Sequence, residues 1–580
     1  MKNIILILAF SLGLSSCSYA QRFNNPEANK INFALSLIEN MYVDTINKKK
    51  FTDEIITNTL QKLDPHSGYL TPEEIKEMNE PLQGNFDGIG IMFNMLTDTL
   101  YVVQVIPGGP SERVGIIPGD RIMFVNDTLI SGVKMSTTDA MSRLKGPKGT
   151  EVELKVLRGN NSDLLPFKIK RDKIPVYSLD ASYMINNKTG YIKLNRFGAT
   201  TYEEFMEAMI KLKKEGLENL ILDLQDNGGG YMGAAIQIAN EFLNSGDLIV
   251  YTEGENSRRS EYKARKKGDF IKNKLVVIVN ESSASASEIL AGAVQDWDRG
   301  VVVGRRTYGK GLVQQVFEYN VDHSAIKLTI ARYYTPTGRS VQKPYENGNI
   351  ESYNMDIINR YNRGEMLSAD SIHFPDSLKY NTLVNNRVVY GGGGIMPDFF
   401  VPMDTSRFTD IHRGIIASGT LNKYVINYVD NNRDKLKSLY PNIDNYKTKF
   451  TVSDKMLNDL LEMFKNENFE FHKTNKSVKL TPEEIQELQN NNYVMSDEFI
   501  KKVSASMKEN KSDKVVLSDS DLKDFNKAKP LIQIQVKALI ARDIWTANDY
   551  FYIINDNDES LKKAIEIISN EKEYNKLLNK

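Results

Sequence analysis

The stretch NESSASASEILAGAVQDW, Asn280 to Trp297, sets four serines ahead of an apolar run. A serine at a strand-to-helix turn lies beside helix N-terminal N–H groups that can stabilise an oxyanion. Ser285 fits that role, because Glu288 follows it by three and an apolar helix begins just after. The same spacing is a capping box, in which the serine only ends the helix. The pattern alone leaves Ser282, Ser283 and Ser287 as rivals. A hydroxyl nucleophile also needs a base. None of the five histidines, His66, His323, His373, His412 and His472, sits in a glycine-rich turn beside this strand system. Lys310 does sit in such a turn, Thr307-Tyr308-Gly309-Lys310-Gly311, where flanking glycines let the backbone turn tightly toward another loop. A lysine at its reference pKa of ~10.4 is neutral in about 0.04% of molecules at pH 7. A basic role therefore requires desolvation or neighbouring cations, for which Arg305 and Arg306 are candidates. The bland alternative is a solvated loop lysine. A third element is Asp223-Leu224-Gln225-Asp226-Asn227-Gly228-Gly229-Gly230, whose glycines let backbone N–H groups approach a ligand. Such groups would form half of an oxyanion hole, with the N–H of Ala286 or of Ser285 itself as the other half.

These residues need a scaffold. Residues 21–80 read as helical, and Thr71-Pro72-Glu73-Glu74 combines a capping box with proline at the first helical position. Leu100 to Ile106, Arg121 to Asn126 and the alternating Glu151 to Leu157 read as strands, with Thr138 to Leu144 as a short helix. Strand and helix alternate from about 175 to 402, with apolar strands at Leu220–Leu224, Leu275–Val279 and Val301–Val303, which predicts an α/β core with active loops at strand ends. Residues 343–390 read as an insertion. Beyond 403 the chain is mostly amphipathic helix, and Thr481-Pro482-Glu483-Glu484 repeats the capping signature.

Together these segments resemble the carboxy-terminal processing peptidases, or tail-specific proteases, which are serine endopeptidases with a Ser–Lys dyad. The resemblance rests on Ser283-Ala284-Ser285-Ala286-Ser287-Glu288, Gln295-Asp296, Thr307 to Gly311 and Val313-Gln314. It extends to Tyr334-Thr335-Pro336-Thr337-Gly338-Arg339-Ser340, Gly394-Ile395-Met396-Pro397-Asp398 and, near the start, Leu63-Asp64-Pro65-His66-Ser67. It implies Ser285 as nucleophile, Lys310 as general base and Gln314 as the residue that orients the lysine. Asp296 matches a position sometimes grouped with the active site. The N–H groups near Gly229 and Ala286 would hold the oxyanion. The family's glycine motif carries arginine where this chain has Gln225, which puts any ion pair there in doubt. No metal or organic cofactor is required, and no compact His/Asp/Glu spacing suggests a metal site. The implied fold is a crotonase-like α/β protease core over residues 173–402 with an inserted PDZ domain at 84–172. Helical regions would flank it at 21–83 and 403–580.

In such a PDZ domain the loop around Gly88, Ile89, Gly90 and Ile91 would receive a C-terminal carboxylate. Met141 and Leu144 on the short helix would form the opposite wall. Core packing is the bland reading of these apolar residues. The expected partners are protein or peptide substrates with apolar C-terminal tails, and in relatives tail binding gates the protease. The C-terminal helices could self-associate, dock an adaptor or shield the site. Two other readings compete, a non-catalytic PDZ scaffold that holds tails and a crotonase-like acyl hydrolase.

Composition narrows the setting. The chain has 580 residues and a formal net charge of -1, which gives no electrostatic case for nucleic acid. The basic run from Ser257 to Lys267 reads as a solvated surface loop. Lys2 followed by the apolar Ile4 to Leu14 reads as an export signal within residues 1–20. Two endings are open: Ser18-Tyr19-Ala20 resembles a signal-peptidase site, and Leu14-Ser15-Ser16-Cys17 resembles a bacterial lipobox, with Cys17 the only cysteine. The expectation is an exported protein of the periplasm or cell envelope, touching membrane only through a lipid on Cys17.

Overall fold

The computed structural model describes residues 25–96, 98–159, 163–466 and 517–579. The export segment with Cys17 and the capping signature at Thr481 lie outside the described residues.

The chain divides into two compact units. The smaller comprises Met1–Pro72, Gln314–Thr329 and Tyr345–Tyr353. Its helices Pro26–Met41 and Lys48–Leu60 are capped by the side chains of Asn25 and Asn47. Strand Gly68–Leu70 pairs antiparallel with residues 325–327. Asp64 organises the turn between them, accepting the N–H groups of His66 and Ser67 at 2.8 and 2.9 Å. It also accepts the hydroxyls of Ser67 and Thr329 at 2.6 and 3.0 Å. Burial raises the Asp64 carboxyl, but these donors outweigh it and hold the group below its ordinary range.

The larger unit, Glu73–Val313, Ile330–Pro344 and Asn354–Lys580, holds the small β domain, the α/β core and the C-terminal helices. Strands Asn85–Gly88 and Asp172–Pro175 pair antiparallel, so the chain enters and leaves the β domain through one two-stranded ribbon. Between them the strands lie in the order Ile91–Leu96, Thr99–Val105, Arg121–Val125, Glu151–Leu157, Leu164–Lys170. Glu151–Leu157 buries Val152, Leu154 and Val156 and exposes the intervening charged residues, as its alternation requires. Strand Ile91–Leu96 pairs on one side only and forms an edge.

The core sheet takes six strands in chain order: β1 (Leu179–Met184), β2 (Thr189–Leu194), β3 (Asn219–Asp223), β4 (Leu275–Val279), β5 (Val301–Gly304) and β6 (Phe399–Phe400). β1 is antiparallel to β2, and all the other pairs are parallel. Helices α1 (Thr201–Lys214), α2 (Met232–Asn240) and α3 (Ala286–Asp296) pack against one face through Phe205, Leu212, Ile238, Leu290 and Val294. The opposite face is covered from the far end of the chain. Helices α4 (Glu559–Ser569) and α5 (Glu571–Leu577) lay Leu561, Ala564, Ile567, Ile568 and Tyr574 over Tyr191, Ile221, Val276, Ile278 and Val303. Coverage on both faces explains why β4 and β5 are apolar at every position but the closing glycine. The last two helices are therefore part of the α/β core, a role the sequence did not suggest. The preceding helices, from Asp410–Ala417 to Ala547–Ile554, form a separate core around Leu457, Leu460, Phe464, Ile532, Val536 and Ile540.

Two other expectations change. The basic run begins as strand Ser257–Lys263, paired antiparallel with Leu248–Gly254, and is not a loop. It is stabilised by Arg259 stacked 3.8 Å over the Tyr251 ring and by Glu261 between Arg259 and Lys263. The insertion at 343–390 has its own elements, including helix Asp356–Asn362 and a hairpin of Lys379–Asn381 with Val388–Tyr390.

Candidate active site

Ser285 stands between β4 and α3 with φ 54° and ψ -111°, a backbone conformation that non-glycine residues rarely adopt. Such a conformation costs on the order of 1–3 kcal/mol and persists only where the surroundings impose it. Here the glycine loop imposes it. The carbonyl of Asn227 accepts Ala284 N–H at 3.0 Å and the Ser287 hydroxyl at 2.8 Å. A Cβ added at Gly229 would lie 2.8 Å from both the Ala284 carbonyl oxygen and the Ser285 Cβ. One at Gly230 would lie 2.2 Å from the Phe197 carbonyl oxygen. Both positions have positive φ, so the close approach and the backbone conformation both demand glycine.

The rival serines differ in their surroundings. Ser283 is buried, with its hydroxyl donating to the Leu224 carbonyl at 2.7 Å, and the Ser287 hydroxyl is committed to Asn227. Ser282 is exposed and precedes the helix turn. Ser285 is half-buried and stands at the N-cap of α3 in a capping box with Glu288, whose carboxylate accepts Ser285 N–H at 2.8 Å, so the capping role is kept alongside any chemical one.

Glu288 joins the serine turn to the lysine turn. It is fully buried. One carboxylate oxygen accepts the Thr307 hydroxyl at 2.6 Å and Gly309 N–H at 2.8 Å. The other accepts Ser285 N–H at 2.8 Å and Lys310 N–H at 2.9 Å. Burial raises the carboxyl above its ordinary range, and the four donors oppose that rise. Tyr333 does the complementary job on the carbonyls, its hydroxyl lying 2.5 Å from the Lys310 oxygen and 3.1 Å from the Ser285 oxygen. Tyr308 N–H adds a third tie, to the Ser283 carbonyl at 3.0 Å. The main chains of Ser285 and Lys310 are thus held together through both their N–H and C=O groups. Lys310 is half-buried.

Glu288→Gln turns one carboxylate oxygen into an NH2 group facing two donors. Unsatisfied buried donors cost about 1–3 kcal/mol each. We expect a loss of roughly 2–5 kcal/mol in chemical unfolding and about a hundredfold fall in kcat on a peptide substrate.

The insertion braces the lysine turn from behind. Arg360, 1% exposed, donates to the carbonyls of Thr307 and Arg306 at 3.0 and 2.7 Å. The cations expected beside Lys310 are not bare: Arg305 pairs with Glu281 at 2.7 Å, and Arg306 pairs with Glu365. Lys343 is an unforeseen neighbour. Its N–H bonds the Gly309 carbonyl at 2.9 Å, and its ammonium lies 4.1 Å from the centre of the Tyr308 ring and 3.1 Å from Asp356. Burial, with Arg360 acting the same way, lowers the Lys343 ammonium from its ordinary value, and Asp356 opposes this.

The other candidate residues sort as follows. Gly229 N–H already donates to the Asn227 side chain at 2.9 Å, so it is not the open donor expected of it. Among the described residues, no acceptor accompanies the N–H groups of Ala286, Gly228 or Gly230. Asp296 lies at the opposite end of α3 from Ser285, ~15 Å along the axis at 1.5 Å per residue. It pairs with Arg339 at 2.7 Å, both fully buried, and accepts Thr337 N–H and hydroxyl at 3.0 and 2.8 Å, a structural role. Gln314 belongs to the smaller unit, where its amide donates to the Thr329 hydroxyl at 3.3 Å. In the β domain, Ile89 and Leu144 are each 3% exposed and belong to the domain core, not to an open wall. Ile91 and Met141 are half-buried. Gly90 has φ 79°, and its carbonyl and that of Ile89 accept the N–H groups of Ile106 and Ser111, both at 3.0 Å.

The residues missed by sequence reasoning are Tyr333, Arg360, Lys343 and the wider role of Glu288. Only Glu288 left a signal, as a capping partner.

Residues 188–351 match the model of peptidase family S41, residues 101–158 that of the PDZ domain, and residues 411–488 a family of unknown function. The chain is 36% identical over 317 residues to the carboxy-terminal processing protease CtpA of Bacillus subtilis, covering 54% of this chain and 66% of that one. It is 34% identical over 310 residues to a carboxy-terminal-processing protease of Bartonella bacilliformis, covering 53% of this chain and 70% of that one. A solved photosystem II D1 C-terminal processing protease is 29% identical, with 53% of this chain and 83% of that chain covered at a TM-score of 0.31. The fold and site define a serine-type peptidase with a PDZ domain. The chain belongs to the carboxy-terminal processing peptidases of family S41, and it spans about two thirds of the length of the curated relatives it matches.

Proposed function

We propose that this protein is an exported endopeptidase that cleaves protein substrates selected by their C-terminal tails, using Ser285 as nucleophile and Lys310 as base. The observation that carries the reading is the lock formed by Glu288 and Tyr333 on the main chains of those two residues. Neutral Lys310 takes the Ser285 hydroxyl proton as the oxygen adds to the scissile carbonyl. N–H groups of Ala286 and of the glycine loop at Gly228 or Gly230 hold the developing oxyanion. The lysine then gives its proton to the leaving amine, and water, activated by the same amine, hydrolyses the ester and frees Ser285.

The edge strand Ile91–Leu96 is suited to accept a tail as an added strand, with the carboxylate at the Gly88–Ile91 loop and Met141 beside the apolar side chains. The substrates are proteins or peptides with apolar tails. We read the core as crotonase-like, Cys17 as a lipid anchor, and the location as the periplasm or cell envelope.

The test uses two unfolded substrates that differ only in their last three residues, apolar in one and acidic in the other. Cleavage of the apolar-tailed substrate at least about tenfold faster is the expected result, matching the ~1.4 kcal/mol that a modest apolar contact supplies. Tail binding without cleavage would instead favour a scaffold, and turnover of small esters alone would favour an acyl hydrolase.

A further inference from the structure

Gln225 opens the glycine loop beside Ser285. Its main chain is fixed on both sides. Its N–H donates to Asp223 at 2.8 Å, and its carbonyl accepts the Lys193 ammonium at 3.1 Å, which also pairs with Asp223 at 3.2 Å. The side-chain amide reaches a residue 333 positions downstream, donating to Oδ2 of Asp558 at 2.8 Å. The other oxygen of Asp558 caps α4, accepting Leu561 N–H at 3.0 Å. Each oxygen of this carboxylate thus has a separate task, one in the C-terminal helix and one in the loop.

We propose that Asp558 is a positioning residue for the reaction, holding the glycine loop in register with Ser285 through Gln225. This rests on the reading of Ser285 as nucleophile. The path is short, from buried Gln225 through exposed Asp226 to buried Asn227. Gln225 is 9% exposed. The next residue, Asp226, exchanges two hydrogen bonds with Asn280 at 3.0 and 2.9 Å. Asn227 then holds Ala284 and Ser287, and Gly229 packs against Ser285. A shift at Gln225 has no slack to absorb it before the serine turn.

The two tasks of Asp558 can be separated. Asp558→Ser keeps an oxygen for the α4 cap, since serine caps as well as aspartate, but leaves no second oxygen for the Gln225 NH2. The expected result is a kcat about tenfold lower on a peptide substrate with KM and Tm little changed, below the ~10² that a full ångström of misplacement costs. Gln225→Leu breaks the same bond from the other side and should lower kcat by the same factor. Gln225→Glu sets a second carboxylate against Asp558 and should lower kcat too, and adding Asp558→Asn to it lets asparagine donate to glutamate and should restore kcat. A kcat within about twofold of the unmodified protein in Asp558→Ser and Gln225→Leu, or no rescue in the Gln225→Glu, Asp558→Asn pair, overturns the proposal. Ser285→Ala is measured alongside. If it still cleaves, the nucleophile assignment falls; if it is inactive while the Asp558 and Gln225 variants are normal, only this inference falls.

Discussion

Alanine at Ser285 or at Lys310 should lower cleavage of an apolar-tailed substrate by at least about 10³-fold, and the double variant should be no slower than either single one. In the proposed mechanism nucleophile and base act in one step. A serine without a base is a weak nucleophile, and a neutral lysine without the serine has no proton to take. Each loss therefore removes the whole step, and the second adds nothing. Both variants should keep the Tm of the parent within a few degrees. The Ser285 turn is fixed by main-chain bonds to Glu288, Tyr333 and the Asn227 loop, which alanine preserves. Losses that multiply in the double variant would mean that the two residues act in separate steps.

The second large effect is on folding. A chain ending at Asn557 should fail to form the protease core, although the family match ends at residue 351. Removing α4 and α5 uncovers one face of the core sheet. Leu561, Ile567, Ile568 and Leu578 are each 3% exposed or less. At ~1.5–3 kcal/mol for each buried aliphatic side chain, those four contribute about 6–12 kcal/mol, similar to the whole stability of a typical domain at ~5–15 kcal/mol. Tyr574 adds specificity, its hydroxyl bonding both the N–H and the carbonyl of Leu275 at the start of β4, at 3.1 and 3.2 Å. Circular dichroism and limited proteolysis of the shortened chain provide the check. A protease-resistant core that melts at the parent's temperature would show that the sheet does not need these helices.

Much of the local geometry was legible because it lies where short-range rules operate. A serine and a glutamate three apart at the head of an apolar run must form a helix N-terminus, and glycines around Lys310 must form a tight turn. The strands Glu151–Leu157 and Leu275–Val279 follow directly from their alternating and continuous apolar patterns. Long-range partners were not legible. The amphipathic stripe of α4 states that one face is buried, but not that its cover is strands β2 to β5, 250 or more residues earlier in the chain. Arg360 sits in a polar, weakly periodic insertion and gives no hint that its guanidinium braces the Thr307 carbonyl. Apolar residues mislead in the other direction. Ile89 and Leu144 suit a ligand pocket by type and spacing, yet a small β domain needs the same side chains for its own core. Charge density misled at Ser257–Lys263, where the edge position of the strand, with most side chains facing water, tolerates a basic sequence.

The most direct measurement of the central claim is mass-spectrometric mapping of the full chain after reaction with a serine-directed fluorophosphonate. The account predicts one phosphonylated residue, Ser285, with labelling lost when Lys310 is replaced by alanine. A label on any other serine, or undiminished labelling of Ser285 without Lys310, would contradict it.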